Sequence, residues 1–168
     1  MVAHKSLEER ECPIARSLQH VGEWWNILIL RDSLAGFTRF DEFQRNLGIA
    51  PGMLTRRLRG LVEAGMLEKR LYSDRPQRFE YVPTARGEDF RDVLVALLAF
   101  GNRHFAPEGL SVTVLDTRTG IEAEPVMVDA ASGTPLSDPA FRWISGPAAG
   151  SETRSRYLMG PPEGGQRW

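Results

Sequence analysis

The chain has 168 residues, 42% of them hydrophobic, and a formal net charge of −1. That length can bury one good core and a small second one, and so neutral a balance excludes a protein that coats nucleic acid over its whole surface. No apolar run reaches the length of a membrane span, the start of the chain lacks a signal-peptide core, and the one cysteine permits no internal disulfide, so a cytoplasmic protein with no membrane partner is expected.

The first helix is expected over Pro13–Val21, directly after Cys12. A helix N-terminus favours a thiolate there. Arg10 and Arg16 support this, whereas Glu8, Glu9 and Glu11 oppose it. Cys12 therefore has two readings. As a redox sensor it could form only a sulfenic acid, a mixed disulfide or a bridge between subunits. As a packing residue it is a small hydrophobe in a dimer interface.

Trp24 to Leu34 contains two Trp, two Ile and three Leu. Apolar groups cover most of this helix, which predicts a central element packed on more than one side. Both tryptophans are read as core residues, with pocket lining as the alternative.

Two short helices follow, Thr38–Leu47 and Pro51–Ala64. Thr38 and Asp41 have the form of a capping box, and Gly48 and Gly65 stand where left-handed helix ends favour glycine. In the second helix Leu54, Leu58, Leu61 and Val62 recur on one face. Arg56, Arg59 and Glu63 fall opposite, with Thr55 and Arg57 on the flanks. Pro51 suits a first helical position. Next come a strand over Met66–Tyr72, a polar turn Ser73–Arg78 and a strand over Phe79–Val82. Two helices with a short connection, then a basic hairpin, form a device for lying against DNA, the second helix entering the major groove. From Thr38 to Arg78 nine basic residues face five acidic ones. The expected DNA contacts are Arg39, Pro51, Gly52, Met53, Thr55, Arg56, Arg57, Arg59, Arg75 and Arg78. Arg56 is the candidate for a base contact, because arginine pairs bidentately with guanine.

A long helix is expected over Thr84–Phe105. Its run Val93–Phe100 holds eight apolar residues without a break. One face would need a partner, and a second subunit across a twofold axis supplies it. The expected dimer contacts are Val93, Leu97 and Phe100, with Ile14 and Leu18 from the first helix. The alternative is that residues beyond Pro107 cover this face.

Composition shifts near Ala106–Gly109. From Ala106 onward five basic residues stand against eight acidic ones, and strands are expected over Ser111–Leu115 and Glu124–Val128. Asp116–Gly120 and Asp129–Gly133 share the form D-x-x-[TS]-G. The stretch from Gly146 to Trp168 reads as a loose tail, anchored by Trp143 or Trp168. His4, His20 and His104 have no ligand or nucleophile cluster around them, and no phosphate loop or nucleophile elbow occurs. No catalytic residue, cofactor or enzyme activity is expected.

Several blocks resemble bacterial HxlR-type winged-helix transcriptional regulators, a branch near the MarR regulators. These are Cys12–Ala15, Gly22–Asp32, Arg39-Phe40-x-Glu42-Phe43, Leu54-Thr55-x-Arg57-Leu58-Arg59-x-Leu61, Glu63-x-Gly65-Met66-Leu67, and Arg78–Tyr81 with Pro83-Thr84. They cover residues 12–105. The resemblance implies a dimeric DNA-binding repressor or activator that answers a small molecule or an oxidant. Ala50 departs from the pattern, standing where a Ser or Thr N-cap is expected, which weakens the cap by about 1 kcal/mol. The paired D-x-x-[TS]-G turns resemble the C-x-x-C-G knuckles of a zinc ribbon carried by some related regulators. Asp116, Thr119, Asp129 and Ser132 replace the thiolates that zinc prefers, so a metal-free ribbon is one reading and two ordinary Asp/Gly turns the other.

The expected fold is mainly α with a small β-wing. A winged helix-turn-helix domain (residues 1–105) precedes a small β-rich C-terminal region (residues 106–168). The expected function is regulation of transcription, as a repressor, by a homodimer on a palindromic operator in double-stranded DNA. Two alternatives are a winged-helix protein-interaction module and a small-molecule-binding protein working through its C-terminal β-region.

Overall fold

Helix α1 (Pro13–Val21), helix α2 (Trp24–Leu34), helix α3 (Phe40–Leu47) and helix α4 (Pro51–Glu63) precede an antiparallel hairpin of strands β1 (Leu67–Asp74) and β2 (Gln77–Pro83). Helices α5 (Ala85–Asp89) and α6 (Arg91–His104), strands β3 (Val114–Asp116) and β4 (Ile121–Ala123), and helix α7 (Ser151–Leu158) complete the order. A computed structural model describes residues 6–158. They divide into two compact units, Arg16–Leu97 and the segments that flank it.

In the Arg16–Leu97 unit, α2 packs against α3, α4 and β2, as its all-round apolar composition requires. Ile29 and Leu30 of α2, Phe43 of α3, and Leu54, Leu58 and Leu61 of α4 have no exposed surface. Leu67 of β1 and Phe90 close the same core. Trp25 packs at its edge. Trp24 corrects the reading of both tryptophans as core. It is 58% exposed and stacks on Trp25 with ring centroids 3.8 Å apart.

Helix α3 begins two residues later than expected. Its capping device is Glu42, whose carboxylate accepts the backbone N–H groups of Arg39 at 2.8 Å and Thr38 at 2.9 Å. Thr38 and Asp41 do not make the cap. Gly48 and Gly65 adopt left-handed conformations, with φ of 62° and 67°, and end α3 and α4 as expected.

The hairpin strands run further into the turn than the sequence suggests, pairing Asp74 with Gln77. Only Arg75 and Pro76 form the tip. An isolated bridge was not legible: Arg39 pairs with Glu80, and the Tyr81 N–H donates to the Thr38 carbonyl at 2.7 Å. This pairing ties the start of α3 to the hairpin.

The single helix expected over Thr84–Phe105 is two helices. Thr84 caps α5 by accepting the Gly87 N–H at 3.2 Å, and its hydroxyl donates to the Gly65 carbonyl at 2.6 Å. A Cβ on Gly87 would collide with the Met66 carbonyl, so only glycine lets α5 lie this close to Met66. Phe90 turns into the core, and its N–H bonds the Gly87 carbonyl three residues back. That tighter closure ends α5 before α6 begins.

The flanking segments differ more from expectation. Strand β3 keeps only the end of Ser111–Leu115, and β4 replaces Glu124–Val128. Hairpin closure at Asp116–Gly120 pairs the residues next to the turn, Asp116 with Ile121. Pro125 lacks the N–H that a strand over 124–128 would use. Instead, Val128 forms an isolated bridge to Pro135 across Asp129–Gly133. Part of the presumed loose tail is α7, joined to Glu11: the Gly150 N–H and the Thr153 hydroxyl donate to its carboxylate at 2.9 and 2.6 Å. Trp143 is 66% exposed. Trp168 and His4 lie outside the described residues.

Candidate nucleic-acid interface

Helix α4 presents its core leucines to α2 and α3 and turns a polar face outward. Pro51 occupies the first turn, and Ala50 provides no side-chain cap. Pro51, Gly52, Thr55, Arg56 and Arg59 are exposed, and Met53 is half-buried against the core. The Thr55 hydroxyl donates to the Pro51 carbonyl at 2.9 Å. Arg56 forms no ion pair with another described residue. Arg59 lies 3.7 Å from Glu63, but both are largely exposed, and such a pair holds an arginine only weakly.

Arg57 stands apart from its neighbours. Its side chain is 15% exposed, and its Nη2 donates to Glu23 at 2.8 Å. The sequence placed it among the DNA contacts, and the structure places it between α4 and the start of α2.

On the hairpin, Arg75 and Arg78 are exposed at and beside the tip. Arg39 lies over the Tyr72 ring at 4.8 Å. Two exposed cations were missed. Lys69 lies over the Phe79 ring at 3.9 Å, and Arg70 pairs with Glu68 at 2.9 Å. Their position on a strand leading to the basic turn was the available signal. Near Arg39 the carboxyl of Glu42 is held below its usual range by its hydrogen bonds from the Arg39 and Thr38 N–H groups. It therefore stays ionised and keeps α3 capped at neutral pH.

The residues expected at a dimer contact all carry exposed apolar surface. On α1 these are Ile14 and Leu18, about half exposed. On α6 they are Val93, Leu97 and Phe100, at the spacing of one helical face. Cys12, just before α1, is half-buried. His20 and His104 are exposed, and the His104 ring lies 4.9 Å from Phe100.

Beyond α6 the four ribbon-like positions act within their own turns. Asp116 is held below its usual range by Arg118, whose guanidinium and backbone N–H both donate to it. The Ser132 hydroxyl and N–H do the same for Asp129. These contacts are those of Asp/Gly turns. Among the described residues no three His, Cys, Asp or Glu form a group able to hold a metal, and no helix is long and apolar enough to cross a membrane.

A two-helix motif followed by a hairpin wing is the geometry of winged-helix regulators. A family model described as HxlR-like helix-turn-helix matches residues 20–109. The chain belongs to that family. Among HxlR-like proteins it is 36% identical over 138 residues to Rv3095 of Mycobacterium tuberculosis, an uncharacterised helix-turn-helix-type transcriptional regulator. That match covers 77% of this chain and 87% of Rv3095. Two solved structures of candidate transcription factors share the fold. PA1374 of Pseudomonas aeruginosa is 56% identical, with 86% of this chain and 99% of that one covered and a TM-score of 0.62. PA1607 is 34% identical, with 84% and 100% covered and a TM-score of 0.75. This HxlR-like chain is thus a transcriptional regulator of winged helix-turn-helix type.

Proposed function

We propose that the protein is a homodimeric, cytoplasmic repressor that binds a palindromic operator in double-stranded DNA. The observation that carries this reading is Arg56. It is exposed and without an ion pair among the described residues, beside Thr55 on the outward face of α4. The second helix of such a motif enters the major groove, where an arginine can read guanine. Arg75 and Arg78 at the wing tip then lie on the phosphate backbone or in the minor groove. Arg39 and Arg59 add positive charge around them. Residues 1–105 serve DNA binding and dimerisation, and residues 106–168 form an accessory region.

Arg56→Ala should weaken binding by about 1–3 kcal/mol and relax sequence preference at one position. Arg78→Ala should weaken all sequences about equally and flatten the salt dependence. Fluorescence anisotropy on selected and scrambled duplexes at two salt concentrations checks both. Unchanged binding in the double variant would overturn the assignment.

Dimerisation is supported by the exposed apolar faces of α1 and α6, and by the match between a twofold protein and a palindromic site. The effector we infer is a small molecule or an oxidant. For an oxidant, Cys12 is the only thiol that could respond. Mild peroxide should then release wild-type protein from DNA and leave Cys12→Ser bound. Identical behaviour of the two would reduce Cys12 to a packing residue.

A further inference from the structure

We propose that Glu23 and Arg57 form a strut that sets the recognition helix for operator reading, so that Glu23 is a specificity-determining positioning residue although it makes no DNA contact. This inference rests on the reading of α4 as the helix that enters the major groove.

The argument starts from what Arg57 does not do. It lies between Arg56 and Arg59 on α4, and a helix turns about 100° per residue. Both neighbours project into solvent, whereas Arg57 turns back toward the protein and keeps only 15% of its side chain exposed. Its Nη2 is bonded to Glu23 at 2.8 Å, and its Nε is buried without a hydrogen-bond partner among the described residues. The guanidinium is largely withdrawn from solvent while Glu23 keeps 57% of its side chain exposed, so the carboxylate orients Arg57 from the rim through a directional, charge-assisted hydrogen bond. Glu23 is therefore what keeps Arg57 folded back.

Glu23 is itself held in place. It is the N-cap residue of α2, yet its side chain caps nothing and reaches α4 instead. The turn that carries it is rigid. Asn26 donates its side-chain amide to the His20 carbonyl at 2.7 Å, and its N–H bonds the Glu23 carbonyl at 2.8 Å. The intervening Gly22 lies so close to the Leu18 carbonyl that a Cβ would collide with it. The α1–α2 turn is thus held by these contacts, and the ion pair ties the middle of α4 to it. Leu54, Leu58 and Leu61 fix the depth of α4 in the core. Smooth apolar contacts leave rotation about the helix axis less defined than a directional hydrogen bond does. A small rotation would move Arg56 off a base edge, and misplacement of that kind weakens specific more than general binding.

The test uses full-length Glu23→Gln and Arg57→Lys. The probes are a duplex that the wild-type protein enriches from a random pool and a scrambled duplex of the same length. Glu23→Gln should lower the ratio of specific to scrambled affinity by about tenfold, within the usual range for coupling between sites. Its melting temperature and dimerisation should match wild type. Loss of a negative charge near DNA acts on both duplexes alike, so the ratio isolates positioning from electrostatics. Arg57→Lys keeps a cation facing Glu23 and should retain more of the ratio than Arg57→Met. An unchanged ratio in Glu23→Gln would overturn the strut, and if both duplexes then gain affinity equally, Arg57 is a phosphate contact restrained by Glu23. If the wild-type protein enriches no duplex, the DNA-binding reading fails and the strut with it.

Discussion

Leu58→Ala is expected to remove much of the folding stability of the Arg16–Leu97 unit. Leu58 is completely buried on α4 in the cluster that includes Ile29, Leu30 and Phe43. Truncation there loses the transfer free energy of the side chain and leaves a cavity, together about 2–5 kcal/mol. Domains are stable by only about 5–15 kcal/mol in total, so the variant should be close to unfolding at physiological temperature. Urea denaturation followed by circular dichroism should show a lower midpoint with the same slope. A loss below about 1 kcal/mol would mean that α4 is not seated as described. Any loss of DNA binding should track the unfolded fraction, which separates this variant from Arg56→Ala.

Leu97→Glu is expected to act in the opposite way, sparing the fold and breaking the assembly. Leu97 is 44% exposed on the same helical face as Val93 and Phe100. In a monomer a glutamate there meets solvent and costs little. In an apolar interface it is an unpaired buried charge. Sedimentation should show monomers. Operator affinity should fall by about two orders of magnitude or more, because two tethered half-sites gain that much from effective concentration. Thermal unfolding of the monomer should stay cooperative. A wild-type protein that sediments as a monomer at micromolar concentration would refute the dimer.

The parts of this molecule legible in the sequence are those where several local signals coincide. In α4 the spacing of Leu54, Leu58 and Leu61, the early Pro51 and the terminal Gly65 all point to one helix with one buried face. The basic turn Ser73–Arg78 marks the wing for the same reason. The features that escaped depend on partners distant in sequence. The break at Phe90 follows from Gly87 packing on the Met66 carbonyl, and the Thr38–Tyr81 pairing is a single backbone bond across the fold. Helix α7 lies in a stretch read as a loose tail, and its first turn is bonded to Glu11, far earlier in the chain. The diversion of Arg57 to Glu23 is of the same kind. Local spacing placed Arg57 on the flank of the polar face, and only a residue 34 positions away shows where its side chain goes. Beyond α6, strand propensity misled because short turns such as Asp116–Gly120 fix pairing by proximity. Pro125 also removes a donor where a second strand was expected.

The central claim is that a dimer reads a specific site through α4. Enrichment of random duplexes by the full-length protein, with the products titrated at low and high salt, tests it most directly. We expect a palindrome with half-sites one helical turn apart, about 10 base pairs, bound with an affinity that falls steeply with salt and loses its sequence preference in Arg56→Ala. A pool that emerges unenriched, or a preference that Arg56→Ala leaves intact, would contradict it.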